Sequence, residues 1–342
     1  MSHPFVSVII PLFNKDQYIL ETINSVLNQN FENFEVIVVD DGSSDSSLNI
    51  VQSMKDPRVF VYTQSNAGVE QARNFGFRHS SGSHVVFLDA DDLMDPHRLS
   101  RQINFFKSNP SVVLIGTWAT IIDKDGTAIG EISPPIDDEA LKISLLFRNP
   151  FICSSVMVLR SAIDKVGLFN TSRGPRFAED YEMWKRISSV GDLQNIPICL
   201  TSYRKLSSSR SNTNQESLLE SARDIAANDL LKKTDLFDDI SSAKKFVKAI
   251  NGLDDLSIHS GSKIRSNLQI YDAILELLVK SGDLSTSATS SQVSRSHKYH
   301  IVVWGLLGML PHAVQARIFN IGSKLKAFKP AQRRIRALLG DL

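Results

Sequence analysis

The chain has 342 residues, 42% apolar and 22% charged, with a net charge of +1 at pH 7. That balance predicts a globular protein of about two domains with enough Val, Ile, Leu and Phe for a real core. Two cysteines, Cys153 and Cys199, argue against a disulfide framework or a cysteine-held metal and fit two reduced, buried thiols.

The elements follow in alternation. Residues 5–10 form an apolar run of strand length that ends at Pro11, not a signal pattern, so a cytosolic location is expected. A helix carrying Ile19, Ile23, Val26 and Leu27 comes next, then a strand at 34–39 and a helix marked by Leu48, Val51 and Met54. A third strand at 58–63 leads to a helix over 68–79, which stops in the turn 80–83. The strand 84–88 precedes a helix bearing Leu99, Ile103 and Phe106. Strands apolar throughout and separated by helices predict a parallel sheet covered on both faces. Further strands are expected at 112–116, 151–159 and 196–203, with helices near 138–147 and 179–190. From about 211 the pattern turns helical, and Ile264, Leu268, Tyr271, Leu275 and Leu278 make its clearest stripe. A Ser/Thr-rich linker is expected at 281–296.

In a sheet of this kind ligands bind beyond the carboxyl ends of the strands, and the polar residues gather there. Strand one runs into Pro11-Leu12-Phe13-Asn14, strand two into Asp40-Asp41-Gly42-Ser43, and strand four into Asp89-Ala90-Asp91-Asp92. Two carboxylates one residue apart suit a hard divalent cation, Mg²⁺ or Mn²⁺, which takes one or two carboxylates and fills its shell with substrate phosphates. One such pair is often only a helix cap, but three clusters at equivalent strand ends point to one site.

The ordered series Pro11-Leu12-Phe13-Asn14-Lys15, Val39-Asp40-Asp41-Gly42-Ser43-Ser44-Asp45, Asn66-Ala67-Gly68 with Ala72-Arg73-Asn74 and Gly76, and Phe87-Leu88-Asp89-Ala90-Asp91-Asp92 resembles family 2 glycosyltransferases. Gly167-Leu168-Phe169, Glu179-Asp180-Tyr181-Glu182-Met183-Trp184 and Tyr203-Arg204 continue the resemblance, which covers about residues 4–210. It implies an α/β GT-A fold: a Rossmann-like nucleotide-binding sheet, mixed acceptor-side strands and, here, a C-terminal helical region. It also implies an inverting hexosyltransferase-type enzyme that uses a nucleoside-diphosphate sugar, UDP favoured, with Mn²⁺ or Mg²⁺. By the same resemblance, Pro11, Leu12, Phe13 and Asn14 line the donor pocket, and Asp40 accepts from the ring N–H of uracil or thymine. Asp41 caps the following turn, and Asn66, Gly68 and Arg73 lie near the nucleotide, with an ordinary N-cap the alternative for Asn66. Asp89 faces the ribose, Ala90 belongs to the same donor site, Asp91 faces the metal, and Asp92 either joins them or caps the helix before Pro96. Asp180 is the implied catalytic base, which takes the proton of the attacking hydroxyl; the alternative is an acidic helix start. Of the three acids on that segment only one should face the cleft. Glu179 and Trp184 are candidates for the acceptor side, with core packing the alternative for Trp184. No His follows Tyr203-Arg204, so either water completes the metal shell or Lys205 and Arg210 share the work of the cation.

Residues 284–340 contain nine Lys or Arg and no acid, so the rest of the chain carries −8 against +9. The apolar run 301–310 is ten residues long, well short of the ~20 a spanning helix needs. Basic and apolar residues from Lys324 to Leu338 alternate as in an amphipathic segment lying on an anionic membrane. The expected organisation is a catalytic domain at 1–210, a helical extension at 211–280, the linker at 281–296 and a basic segment at 297–342. A peripheral enzyme on the inner face of the plasma membrane, extending a lipid-linked or cell-surface glycan, follows as an expectation. A basic helix pair packed on the acidic domain is the alternative. Nucleic acid is disfavoured because the tail lacks interleaved aromatics, and NAD because no G-x-G-x-x-G follows a strand. A phospho-acceptor signalling domain would close near 120 residues, and a catalytically inactive nucleotide-sugar-binding scaffold would have less reason to keep every acidic motif.

Overall fold

The computed structural model describes residues 5–171, 178–207, 209, 215–233, 237 and 239–251. The expected linker at 281–296, the basic segment at 297–342 and the stripe from Ile264 to Leu278 lie outside them. Two compact units are present, Met1–Ala222 and Arg223–Leu342.

The first unit is built on one nine-stranded sheet. Its strands are β1 (Val6–Leu12), β2 (Phe34–Asp40), β3 (Val59–Thr63), β4 (His84–Phe87), β5 (Leu93–Met94), β6 (Val112–Ile122), β7 (Ala128–Ile132), β8 (Met157–Leu159) and β9 (Asp192–Arg204). They lie in the order β3-β2-β1-β4-β8-β6-β9-β5, with β7 hydrogen-bonded to β6. The half β3-β2-β1-β4 is parallel throughout. Beyond it β8 runs antiparallel to both β4 and β6, while β6 and β9 are parallel. The sheet is therefore mixed on its second half, as the resemblance implies.

Its helices are α1 (Ile19–Leu27), α2 (Ser47–Ser53), α3 (Val69–Arg78), α4 (Arg98–Ser108), α5 (Asp138–Leu145), α6 (Arg160–Val166) and α7 (Glu179–Ile187). Alternation along each strand sends successive side chains to opposite faces. Val8 and Ile10 of β1, Val36 and Val38 of β2 and Val86 of β4 share one core with Ile19, Ile23 and Val26 of α1 and Leu99, Ile103 and Phe106 of α4. Each such side chain, fully buried, contributes about 1.5–3 kcal/mol. On the opposite face α3 lies close to the sheet because residue 76 is glycine: a Cβ there would come 2.5 Å from Ile9 Cγ2. Near Phe87 that face is covered by Phe169, with ring centres 5.1 Å apart, and by Trp184.

Several expectations need correction. β1 does not stop at Pro11 but continues to Leu12, with Pro11 opposite Val39 of β2. Ile9 and Leu12 turn their carbonyls to β4 and β2 respectively, so the absent N–H of Pro11 falls on the β4 side. There β4 has already ended at Phe87, and no ladder bond is lost. The expected strand at 151–159 is a strand only over Met157–Leu159, preceded by a 3-10 turn at Cys153–Ser155. The Ser155 hydroxyl donates to the Ile152 carbonyl at 2.8 Å, a local bond that competes with extended structure. β5, β7 and α6 are additional elements, and β6 and β9 are longer than their apolar runs.

The last described helices are α8 (Gln215–Lys233), within whose range the boundary between the units falls, and α9 (Ile240–Asn251). Ala226, Ala227, Leu230 and Val247 are fully buried, and Phe237 packs on Phe246. No described helix is long and apolar enough to cross a membrane.

Candidate active site

Because β1, β2 and β4 are mutually parallel, their carboxyl ends open on one edge of the sheet. The first two loops are tied together there. Asn14 adopts a left-handed backbone (φ 51°), which Asn tolerates better than most residues. Its N–H donates to Ser43 Oγ at 3.0 Å and its Oδ1 accepts from the Ser44 N–H at 2.8 Å. One residue on, the Lys15 N–H donates to Ser47 Oγ at 2.8 Å. Pro11 and Leu12 belong to the sheet, and Phe13 stands 46% exposed at its rim.

Asp40 is buried and receives the Ser43 N–H at 3.3 Å on each carboxylate oxygen, so it is Asp40 that organises the turn after β2. Asp41, expected in that role, reaches the next loop instead. Its carboxylate accepts from the Ala67 and Gly68 N–H groups at 2.8 and 2.9 Å and from Gln64 Nε2 at 2.7 Å. Gly42 permits this with φ +75°, and a Cβ there would lie 3.0 Å from the Asn66 nitrogen. Asn66 is exposed on this loop and is not a helix cap, because Gly68 (φ 95°) holds the capping position of α3.

The acidic loop after β4 divides its labour. The Asp89 side chain, 38% exposed, accepts from Arg73 Nη2 at 2.9 Å. The Ala90 carbonyl accepts from Thr22 Oγ1 at 3.0 Å, which holds the loop against α1. Asp91 Oδ2 accepts from Lys15 Nζ at 2.7 Å. Burial pushes the Asp91 carboxyl up, Lys15 opposes this, and the charge of Asp89 adds to it. Asp92 is fully buried and caps no helix; it accepts from the Arg204 N–H at 2.7 Å. Burial, then the charges of Asp91 and Asp89, push its pKa well above the ordinary range. Arg204, from the Tyr-Arg pair, donates to the Asp91 carbonyl at 2.9 Å and to Glu21 at 2.7 Å. Its contribution is thus to brace the acidic loop. Lys205 is exposed, and Arg210 lies outside the described residues.

Arg73 connects this loop to α7. Its guanidinium is buried, with Nη1 donating to Glu179 at 2.9 Å while Nη2 holds Asp89, and it lies over the Phe169 ring. Both ends are thereby committed to protein carboxylates. Asp180 is the next residue along α7. Asn149 Nδ2 donates to its Oδ2 at 2.8 Å, and the Tyr181 N–H donates to its Oδ1 at 2.8 Å. Its pKa is pushed up to about 6, chiefly by burial and then by Glu179, with Arg73 pulling the other way. Of the three acids, Glu182 is turned to Arg186 at 2.9 Å, whereas both Glu179 and Asp180 face the shared cluster. Trp184 cannot serve the acceptor side: its side chain is fully buried among Phe87, Phe151 and Phe169. It lies one helical turn from Asp180, on the strip of α7 that carries Tyr181 and Ile187 into the core.

Two contributors were given no role by the sequence. Lys15 could have been flagged as a cation directly after a strand end that faces carboxylates. Asn149 carries no such signal, since it reaches Asp180 only through the packing of the loop after α5.

Asp89 and Asp91 carry carboxylate oxygens of the kind a hard divalent cation takes, and burial pushes the Asp91 carboxyl up despite the ammonium of Lys15 beside it. Among the described residues no three His, Cys, Asp or Glu converge as a metal cluster, so any ion held here draws most of its shell from elsewhere. Asp91 would hold it, and the ion would supply charge neutralisation for a departing diphosphate.

Comparison with known proteins agrees with this architecture. An uncharacterised glycosyltransferase of Haemophilus influenzae is 26% identical over 314 residues, spanning 89% of this chain and 93% of that protein. A second from the same organism is 36% identical over 168 residues, 48% of this chain and 65% of the relative. Among solved structures, Staphylococcus aureus TarS 1–349 in complex with UDP-GlcNAc superposes with a TM-score of 0.54 at 18% identity, covering 89% of this chain and 90% of that one. The mannosyltransferase PcManGT from Pyrobaculum calidifontis, in complex with GDP-Man and Mn²⁺, gives 0.52 at 17% identity, covering 94% and 88%. At such identities the likeness shows the GT-A fold. Residues 7–167 match the family described as Glycosyl transferase family 2, a span that includes all three strand-end clusters. The chain is a glycosyltransferase, and its match to family 2 covers residues 7–167.

Proposed function

We propose that the protein is an inverting glycosyltransferase that moves a hexose from a UDP-sugar to a hydroxyl of a glycan or lipid-linked acceptor in cell-surface polysaccharide synthesis. The observation that carries this is Asp180. It is a carboxylate raised to about 6, oriented by Asn149 and joined to the acidic donor loop through Glu179, Arg73 and Asp89. A base poised near neutral pH can take the proton of an incoming hydroxyl while the sugar leaves from its opposite face. Pro11, Leu12, Phe13 and Asn14 border the base, Asp40 accepts from its ring N–H, Asn66 and Gly68 approach the nucleotide, Asp89 and Ala90 the ribose, and Asp91 the metal. Arg73 acts in this scheme by holding Asp89 and Glu179 in place. UDP is favoured because TarS has been crystallised with UDP and with UDP-GlcNAc. Use of Mn²⁺ or Mg²⁺ is supported by the donor set and by the Mn²⁺ bound to PcManGT.

In this proposal residues 1–210 are the catalytic domain and 211–280 its helical extension. The linker 281–296 leads to the basic segment 297–342, which attaches the enzyme to the cytoplasmic face of an anionic membrane. The test is a panel of nucleotide-sugars incubated with Mn²⁺ or Mg²⁺. Release of UDP from one of them, with an inverted anomeric configuration in the transferred sugar by NMR, is the expected result. No release from any UDP-sugar, or retention of configuration, refutes it.

A further inference from the structure

We propose that Lys15 is a resident counter-cation of Asp91 which a divalent metal must displace, so that metal binds tightly only together with the nucleotide diphosphate that receives the displaced ammonium. The inference rests on the reading of Asp91 as the metal-facing carboxylate.

Lys15 is held in place by its backbone, and its side-chain tip is held by Asp91. Its N–H is bound by Ser47 Oγ at 2.8 Å, and its carbonyl accepts from the N–H groups of Tyr18 and Ile19 at 3.0 and 2.9 Å at the start of α1. The preceding Asn14 is clamped to Ser43 and Ser44. From that anchor the side chain, 22% exposed, crosses to Asp91, whose own side chain is 12% exposed, and the ion pair closes at 2.7 Å. The neighbouring arginines are occupied elsewhere: Arg73 holds Asp89 and Glu179, and Arg204 binds the Asp91 carbonyl, not its carboxylate. Lys15 is therefore the cation seated where a metal would bind.

A divalent ion and an ammonium on one largely buried carboxylate repel each other, and at that depth salt screens the repulsion poorly. One must leave. A lysine ammonium on a four-carbon stem can do so without moving its backbone, and a diphosphate at the same edge offers it charged acceptor oxygens. Metal and nucleotide then favour each other because each removes an obstacle to the other. Without nucleotide, the lysine pairs with no other carboxylate among the described residues, and the metal competes against it.

The experiment is Mn²⁺ binding by electron paramagnetic resonance without nucleotide, and UDP binding by calorimetry in chelator, on the full chain and on Lys15→Met, Lys15→Arg and Asp91→Asn. Lys15→Met should bind Mn²⁺ about tenfold tighter than the parent and UDP about tenfold weaker in chelator. Lys15→Arg, which keeps the charge, should stay near the parent in both, separating the effect from damage to the loop. Parental Mn²⁺ affinity in Lys15→Met, with Asp91→Asn still losing the metal, overturns the inference alone. Unchanged Mn²⁺–UDP binding in Asp91→Asn overturns the assignment of Asp91, and the inference falls with it.

Discussion

Replacing Asp180 with Asn separates catalysis from stability, because the same environment governs both. Burial and Glu179 raise this carboxyl from the ordinary 3.8 to about 6. At about 1.4 kcal/mol per pH unit, an ionised Asp180 destabilises the fold by about 3 kcal/mol. A raised carboxyl is neutral in both folded and unfolded chains below 3.8, so there it costs nothing. The penalty grows as pH rises from 3.8 to about 6 and is complete above that. Asn is neutral at every pH and nearly the same shape, so Asp180→Asn should be more stable than the parent at pH 7 and equal to it near pH 3.5. Some water reaches the carboxyl, and one amide–amide contact with Asn149 replaces a charge-assisted bond. These reduce the gain to about 1–2 kcal/mol, a rise of a few degrees in melting temperature. Transfer, by contrast, should fall about 10²–10⁴-fold with UDP-sugar binding retained. In the parent, the rate should decline about tenfold per pH unit below about 6, as the base becomes protonated. The assays are melting curves at pH 7 and 3.5 and a pH–rate profile of transfer. Ordinary turnover in the mutant, or a parental rate that is flat from pH 7 to 4.5, refutes the reasoning and makes Glu179 the next base to examine.

Asp91→Asn should weaken Mn²⁺-dependent UDP binding in calorimetry while leaving the thermal melt nearly unchanged; intact binding would remove the metal assignment. Arg73→Met withdraws the guanidinium shared by Asp89 and Glu179 and should destabilise by about 3 kcal/mol, since Asp89 reaches solvent and limits the loss. Because Arg73 holds the Asp180 pKa down, the acid limb of any residual activity should move above pH 6; a limb that stays in place would show the two groups uncoupled. Co-sedimentation with anionic liposomes at low salt should pellet the full chain but not a version ending at Ser281, and equal behaviour of the two would remove the membrane-attachment proposal.

What the sequence determined by itself is whatever physics is local. Runs such as Val36 to Val39 are strands because β-branched residues fit a pleated, two-sided core, and Ile19, Ile23 and Val26 form a stripe because a helix returns every 3.6 residues. The strand-end carboxylates were legible for the same reason: a buried strand that stops at Asp must open onto solvent or a ligand. Short elements escaped. β5 is two residues long and exists only because β9 lies beside it, with Leu93 opposite Ser202 and Met94 opposite Thr201, 107 residues further along the chain. The partners inside the site escaped as well. Lys15 meets Asp91 across 76 residues and Arg73 meets Glu179 across 106, and nothing in the spacing of a chain encodes which long side chain fills which gap. Periodicity assigns Trp184 to a face of α7, but only the packed neighbours decide whether that face looks into a cleft or into Phe87 and Phe169. The strength of Asp180 as a base belongs to the fold entirely, because desolvation and nearby charge, not residue type, set its pKa.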